Sequence, residues 1–216
     1  MRNAQKDAAE MAEKRARMLK SGFELFSSRA IEPVTMQEIA DASGTGIATI
    51  YRYFPTKLEL VIETAVQKWK DFLDFVLKED ENSRIFEKTA AEQVAHYLEY
   101  YIILYRDYRP HLRFNYDFNL YVVNSGATPE QMKPFTETVN GFARQFARVY
   151  ETGKRDGTLR TDIPVDELFA SSAHIMLAVA TRYAAGLIFH SQKVADDCAE
   201  LEMLRDMIIE RFTIKK

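Results

Sequence analysis

Two helix-start signals bracket a glycine-containing turn in the segment VTMQEIADASGTGIATIYRYFPTK, residues 34 to 57, and their spacing leaves that stretch little structural freedom. Thr35 followed three residues later by Glu38 is a capping box, in which each side chain satisfies a free backbone N–H of the other. A helix is therefore predicted from Met36, with Met36, Ile39 and Ala40 as its inward stripe and Gly44 supplying the positive φ that ends it. From Ile47 a second helix pattern places Ile47, Ile50 and Phe54 on one side and Ala48, Thr49, Arg52 and Tyr53 on the other. With Tyr51 at the edge, the outward set holds one charge, one methyl and three hydroxyls, donors suited to phosphate oxygens. Thr56 and Glu59 form a second capping box after Pro55 and put Lys57 in the first turn of the next helix. A cation there opposes the helix macrodipole by a few tenths of a kcal/mol, which fits a nearby anion better than it fits helix stability. Two short helices about such a turn read as a helix-turn-helix; the alternative is an ordinary helical hairpin in an all-helical core.

The run from Thr35 to Lys57, above all its ending TIYRYFPTK, resembles the DNA-binding signature of the tetracycline-repressor (TetR) family of bacterial transcription regulators. The resemblance implies an all-α fold, with an N-terminal three-helix helix-turn-helix domain over residues 1 to 57. A six-helix ligand-binding and dimerisation domain would follow over 58 to 216. It implies that Thr35, Thr49, Tyr51, Tyr53 and Lys57 grip phosphates, while Gln37, Ile47, Ala48 and Arg52 face base edges. Many members carry a polar group where this chain has Ile47, and Ser or Asn where it has Gly46, so the operator sequence stays open. Ile47 either meets a thymine methyl or packs inward. Arg52 is the strong candidate for guanine readout.

Charge is distributed with the expected sign. Up to Lys57, nine Lys and Arg stand against seven Asp and Glu, a net +2, and the remainder has 20 against 25, a net −5. Lys14, Arg15, Arg17 and Lys20 add positive charge near the start, either as an arm for the minor groove or as a solvated helix face. There is no run of 18 apolar residues and no apolar leader in MRNAQKDAAEMAEKR, so a soluble, cytoplasmic protein without a membrane span is expected. The single Cys198 allows no internal disulfide and has no Cys or His at metal-ligand spacing; no metal and no cofactor are expected.

Nearly every other segment reads as helix. Leu19, Phe23, Phe26 and Ala30 mark the first helix, and Leu58, Val61, Ile62, Ala65, Trp69, Phe72, Leu73 and Val76 a long one, which the polar stretch 78 to 84 is expected to break. Another runs to about Tyr108 before Pro110, and a shorter one to about Val123. Thr128 and Pro129 then start a helix marked by Met132, Phe135, Val139, Phe142, Phe146 and Val149 and expected to end at Gly153. Two final helices are expected near 165 to 190 and 195 to 213. The first of them is apolar on several sides and rich in Ala, Ser and Gly, so it needs partners on more than one face. The resemblance supplies one: a homodimer through the last two helices, whose two recognition helices read duplex operator DNA.

Aromatics gather between these regions. The resemblance implies an effector pocket, for which Trp69, Tyr97, Tyr101, Tyr105, Phe118, Tyr121, Phe142, Phe146 and His174 are lining candidates; packed core is the alternative for each. The function so implied is a ligand-responsive repressor released from DNA by a small, largely apolar or aromatic effector, and not an enzyme. Competing readings are a constitutive DNA binder or scaffold without effector, and a di-metal helical enzyme. The latter asks for paired Glu-x-x-His motifs, whereas Glu92 and His96 are four apart and the histidines are scattered.

Overall fold

The computed structural model describes residues 4–187 and 197–214. Among them are nine α-helices: α1 (Ala4–Arg29), α2 (Met36–Ala42), α3 (Ile47–Tyr53), α4 (Lys57–Asn82), α5 (Ala90–Asp107), α6 (Arg109–Asn124), α7 (Pro129–Asp156), α8 (Val165–Ala184) and α9 (Asp197–Phe212). The described residues contain no strand, only an isolated antiparallel bridge between Leu159 and Thr213. They fall into two compact units. Unit 1 takes the chain up to Trp69 together with Arg113–Thr136; unit 2 takes Lys70–Leu112 and everything from Glu137.

Unit 1 closes on one apolar core. Met18, Leu19 and Phe26 of α1, Ile39 and Ala40 of α2, Ile50 of α3, Leu60, Val61 and Ala65 of α4, and Phe114 and Phe118 of α6 are all buried in it. Phe26 stacks on Phe114 at 6.1 Å, and Phe23 meets the same ring edge-on at 5.7 Å. Ala30 does not continue the α1 stripe. It lies past the helix end with φ 65°, a left-handed residue that turns the chain so that Ile31 enters the core.

In unit 2, α5 packs against both α8 and α9, which also pack on each other. Val94, Leu98, Ile102 and Tyr105 of α5, Leu168 and Met176 of α8, and Leu201 and Ile208 of α9 are buried. Arg205 Nη1 ties α9 to α5 by donating to Glu99 Oε2 at 2.6 Å. A third capping box, Thr89 with Glu92, starts α5.

Three further helix boundaries differ from the expected ones. The polar stretch 78 to 84 does not break α4, which runs to Asn82, because Asp80 falls on the inward stripe one turn after Val76 and is buried with hydrogen-bond partners of its own. Gly153 does not end α7. A Cβ there would lie 2.5 Å from Leu159 Cβ, so glycine permits a close approach, and Gly157, at φ 67°, provides the left-handed turn beyond Asp156. α8 ends at Ala184, followed by Gly186 at φ 76°, rather than near 190; residues 188–190 lie outside the described residues. Pro110 sits at the second position of α6, where its missing N–H has no helical acceptor to forgo.

Candidate nucleic-acid interface

The sequence signals at residues 34 to 57 become geometry in unit 1. Thr35 Oγ1 accepts from Glu38 N at 3.2 Å while Thr35 N donates to Glu38 Oε2 at 2.8 Å, which completes the first capping box. The Thr35 backbone N–H and hydroxyl, both donating to Glu38 Oε2, and the nearby Arg29 guanidinium hold the Glu38 carboxyl below its ordinary pKa. Met36, Ile39 and Ala40 are buried as their spacing requires. Ser43 N donates to Ile39 O at 2.9 Å, and Gly44 turns the chain at φ 66° toward α3.

α3 is pinned from below and open above. Ile50 and Phe54 are fully buried, and Ile47 and Tyr53 pack against the same core as half-buried residues. Ile47 therefore uses part of its side chain in folding and keeps the rest accessible. Ala48 and Arg52 are exposed, Thr49 is half-buried, and Tyr51 is 48% exposed. The Arg52 guanidinium lies 5.8 Å from the Tyr53 ring centroid, and Arg15 of α1 lies 4.7 Å from that of Phe54 while pairing with Glu63. Met11, Ala12, Arg15, Arg52 and Tyr53 together line a cleft of about 320 Å³ beside α3. The basic residues near the start thus belong to a helix, and Arg17 and Lys20 pair with Glu13 and Glu24 along it.

The neighbours of α3 complete the surface. Thr56 Oγ1 accepts from Glu59 N at 3.2 Å at the start of α4. Lys57 Nζ donates to Glu32 O at 2.9 Å and lies 5.2 Å from the Tyr121 ring centroid. Burial pulls its pKa below the ordinary lysine value, and the charges of Glu32 and Glu38 partly offset that. Gln37 is exposed and donates from Nε2 to Asp41 Oδ1 at 2.8 Å, so a base edge would compete with that local bond.

The nine lining candidates divide between the units. Trp69, Phe118 and Tyr121 belong to unit 1, where Phe118 is fully buried and packs on Phe114 and Phe135. The other six are in unit 2. Phe142 meets Phe72 at 6.2 Å, Phe146 meets Phe169 at 5.8 Å, and Tyr105 meets Tyr183 edge-on at 6.2 Å. Tyr101 is half-buried, with its phenol raised by desolvation, and His174 is exposed. Tyr97 leads to a group that the residue pattern did not single out. Its hydroxyl donates to Asp80 Oδ2 at 2.6 Å, that of Tyr100 to Asp80 Oδ1 at 2.8 Å, and His96 Nε2 lies 3.2 Å from Oδ1. A signal existed: Asp80 continues the stripe of Trp69, Phe72 and Val76 at helical spacing.

Residues 18–64 match the family described as bacterial regulatory proteins, tetR family. Over 68 residues the chain is 32% identical to the HTH-type transcriptional repressor KstR of Rhodococcus jostii (strain RHA1), a match that spans 32% of this chain and only 29% of that protein. The whole fold is shared more widely. A transcriptional regulator from Saccharomonospora viridis in complex with choline aligns at TM-score 0.73 and 21% identity, covering 94% of this chain and 100% of that one. FadR from Bacillus subtilis in complex with stearoyl-CoA aligns at TM-score 0.59 and 18% identity, covering 90% and 97%. The Thr35–Glu38 capping box, the Gly44 turn, α3 and the Thr56 cap of α4 all lie within the matched segment, and the helices that follow keep the same fold. Residues 18–64 thus match the tetR family of bacterial regulatory proteins, and the described helices share the fold of the solved transcription regulators.

Proposed function

We propose that this protein is a ligand-responsive DNA-binding transcription regulator, a repressor that leaves its operator when a small, largely apolar or aromatic effector binds. The observation that carries the reading is α3: anchored by Ile50 and Phe54, it offers Ala48, Thr49, Tyr51 and Arg52 to the outside. Arg52 and the accessible parts of Ala48, Ile47 and Gln37 read base edges, while Thr35, Thr49, Tyr51, Tyr53 and Lys57 position the backbone. Residues 1 to 57 then form the reading domain and 58 to 216 the effector and dimer domain.

Duplex operators are read by two-fold dimers whose recognition helices lie about 34 Å, or a multiple of it, apart. The dimer is assigned to α8 and α9. Apolar side chains exposed on them support this, with Ile175 at 43%, Met203 at 57% and Met207 at 59% exposure. The ligands of the two similar folds, choline in one and stearoyl-CoA in the other, support an effector site here. Since α4 contributes residues to both units, a shift of this helix is felt at Lys57. Coupling of about 1–3 kcal/mol would weaken operator affinity about 5- to 150-fold. Selection of bound sequences from a random duplex pool tests the reading directly. Enrichment of a two-fold symmetric site is expected, and recovery of no preferred duplex would overturn it.

A further inference from the structure

We infer that unit 2 takes a positively charged group of its ligand, an amine or quaternary ammonium, with Asp80 as the charge partner. This rests on the effector reading above and narrows the effector to a cationic class. Asp80 is the starting point. Its side chain is 1% exposed, and among the described residues no Lys or Arg forms an ion pair with it. Two tyrosine hydroxyls and a histidine nitrogen satisfy its lone pairs but bring no permanent positive charge. The charge of Arg148 is felt at Tyr97, but its guanidinium donates to Gln145 Oε1 at 3.3 Å and forms no ion pair with Asp80.

A carboxylate buried in this way is costly, because taking a charge out of water is repaid only by an opposite charge and well-formed hydrogen bonds. If the fold merely needed an acceptor for Tyr97 and Tyr100, a neutral amide at position 80 would serve at lower cost. The surroundings suit a cation. The Tyr100 ring is met by Phe72 at 6.5 Å, Phe75 at 6.1 Å and Tyr97 at 6.0 Å, and the electron-rich faces of such rings attract ammonium groups. One turn before Tyr97 on α5, the buried Gln93 leaves Oε1 without a hydrogen-bond donor. The group also has an outer end, since His96 is 24% exposed and Tyr97 half-buried, so a ligand reaches Asp80 by displacing these two donors.

The test uses the full chain and two probes of similar size, tetramethylammonium and the neutral tert-butanol, at ionic strength matched with sodium chloride. Tetramethylammonium is expected to raise the melting temperature progressively with concentration, and tert-butanol to leave it unchanged. Asp80→Asn should abolish the response to the cation. Tyr97→Phe keeps both ring and carboxylate and should retain that response, which keeps the test decisive if Asp80→Asn fails to fold. Absence of a response in the wild-type chain, an equal response to tert-butanol, or an undiminished response in a folded Asp80→Asn would each overturn the inference. Retention of a selected duplex by the same preparations separates the two failures. Loss of duplex binding sinks the regulator reading, whereas duplex binding without a cation response sinks this one alone.

Discussion

Replacing Lys57 by Ala probes whether the ammonium at the start of α4 contacts a phosphate, and the structure sets the size of the effect. Its Nζ carries three donors, of which Glu32 O takes one at 2.9 Å, leaving two for an anion without breaking that bond. Each neutralised phosphate releases condensed counterions and contributes about 0.9 to the slope of log affinity against log salt. A dimer with two reading heads therefore loses about 1.8 from that slope when Lys57 is replaced. Between about 50 and 200 mM salt this is a roughly twelvefold difference in how much affinity falls, readily measured by fluorescence anisotropy of a labelled operator. Wild type and variant should converge as salt rises, because the lost term is itself screened. A slope difference near 0.9 would mean that only one head engages the duplex. An unchanged slope would refute the phosphate role and leave Lys57 as a tie between α4, the Glu32 carbonyl and the Tyr121 ring.

Four further outcomes follow from particular contacts. Arg52→Ala should relax base preference at one operator position at a cost of about 1–3 kcal/mol, seen by comparing operator variants; equal loss on all of them would contradict base reading. Gly153→Ala places a Cβ 2.5 Å from Leu159 Cβ and should destabilise the fold by about 1–3 kcal/mol, read as a lower denaturant midpoint with unchanged m-value. Thr35→Ala removes the α2 cap, typically about 1 kcal/mol of stability. The Thr35 backbone N–H, which Ala retains, and the Thr35 hydroxyl, which it loses, both donate to Glu38 Oε2 and lower its pKa, so the hydroxyl's share of that stabilisation is fully present above the unfolded carboxyl range and disappears as pH falls through the lowered folded value. The Thr35→Ala chain should therefore show a flatter loss of stability in acid, measured by melting at successive pH values. Met207→Glu puts a charge among exposed apolar side chains of α9 and should yield monomers in sedimentation with weakened operator binding; an unchanged mass would move the dimer interface elsewhere.

Local rules were sufficient for the reading segment. Capping boxes, a glycine turn and helical spacing involve residues within four positions of each other, so Thr35, Glu38, Gly44, Ile50 and Phe54 stand where the chain alone placed them. The inward face of α4 was equally legible as far as Val76. The most consequential residue that the sequence pattern missed, Asp80, is a polar one whose partners are distant along the chain.

Asp80 shows the division most clearly. Read locally, it is one charge in a solvated run that ought to end a helix; in the folded chain it is a buried acceptor for hydroxyls 17 and 20 residues away. Gly153 likewise read as a terminator until Leu159 occupied the place of its missing side chain, and Ala30 as part of a stripe until its left-handed φ ended α1. The chain by itself determined that nearly every segment is helical, where the capped helices begin and which faces turn inward, because these depend on near-neighbour geometry and apolar spacing. Only tertiary packing decided which polar groups are withdrawn from water, because the free energy of burying a charge is set by whichever remote side chains arrive to meet it.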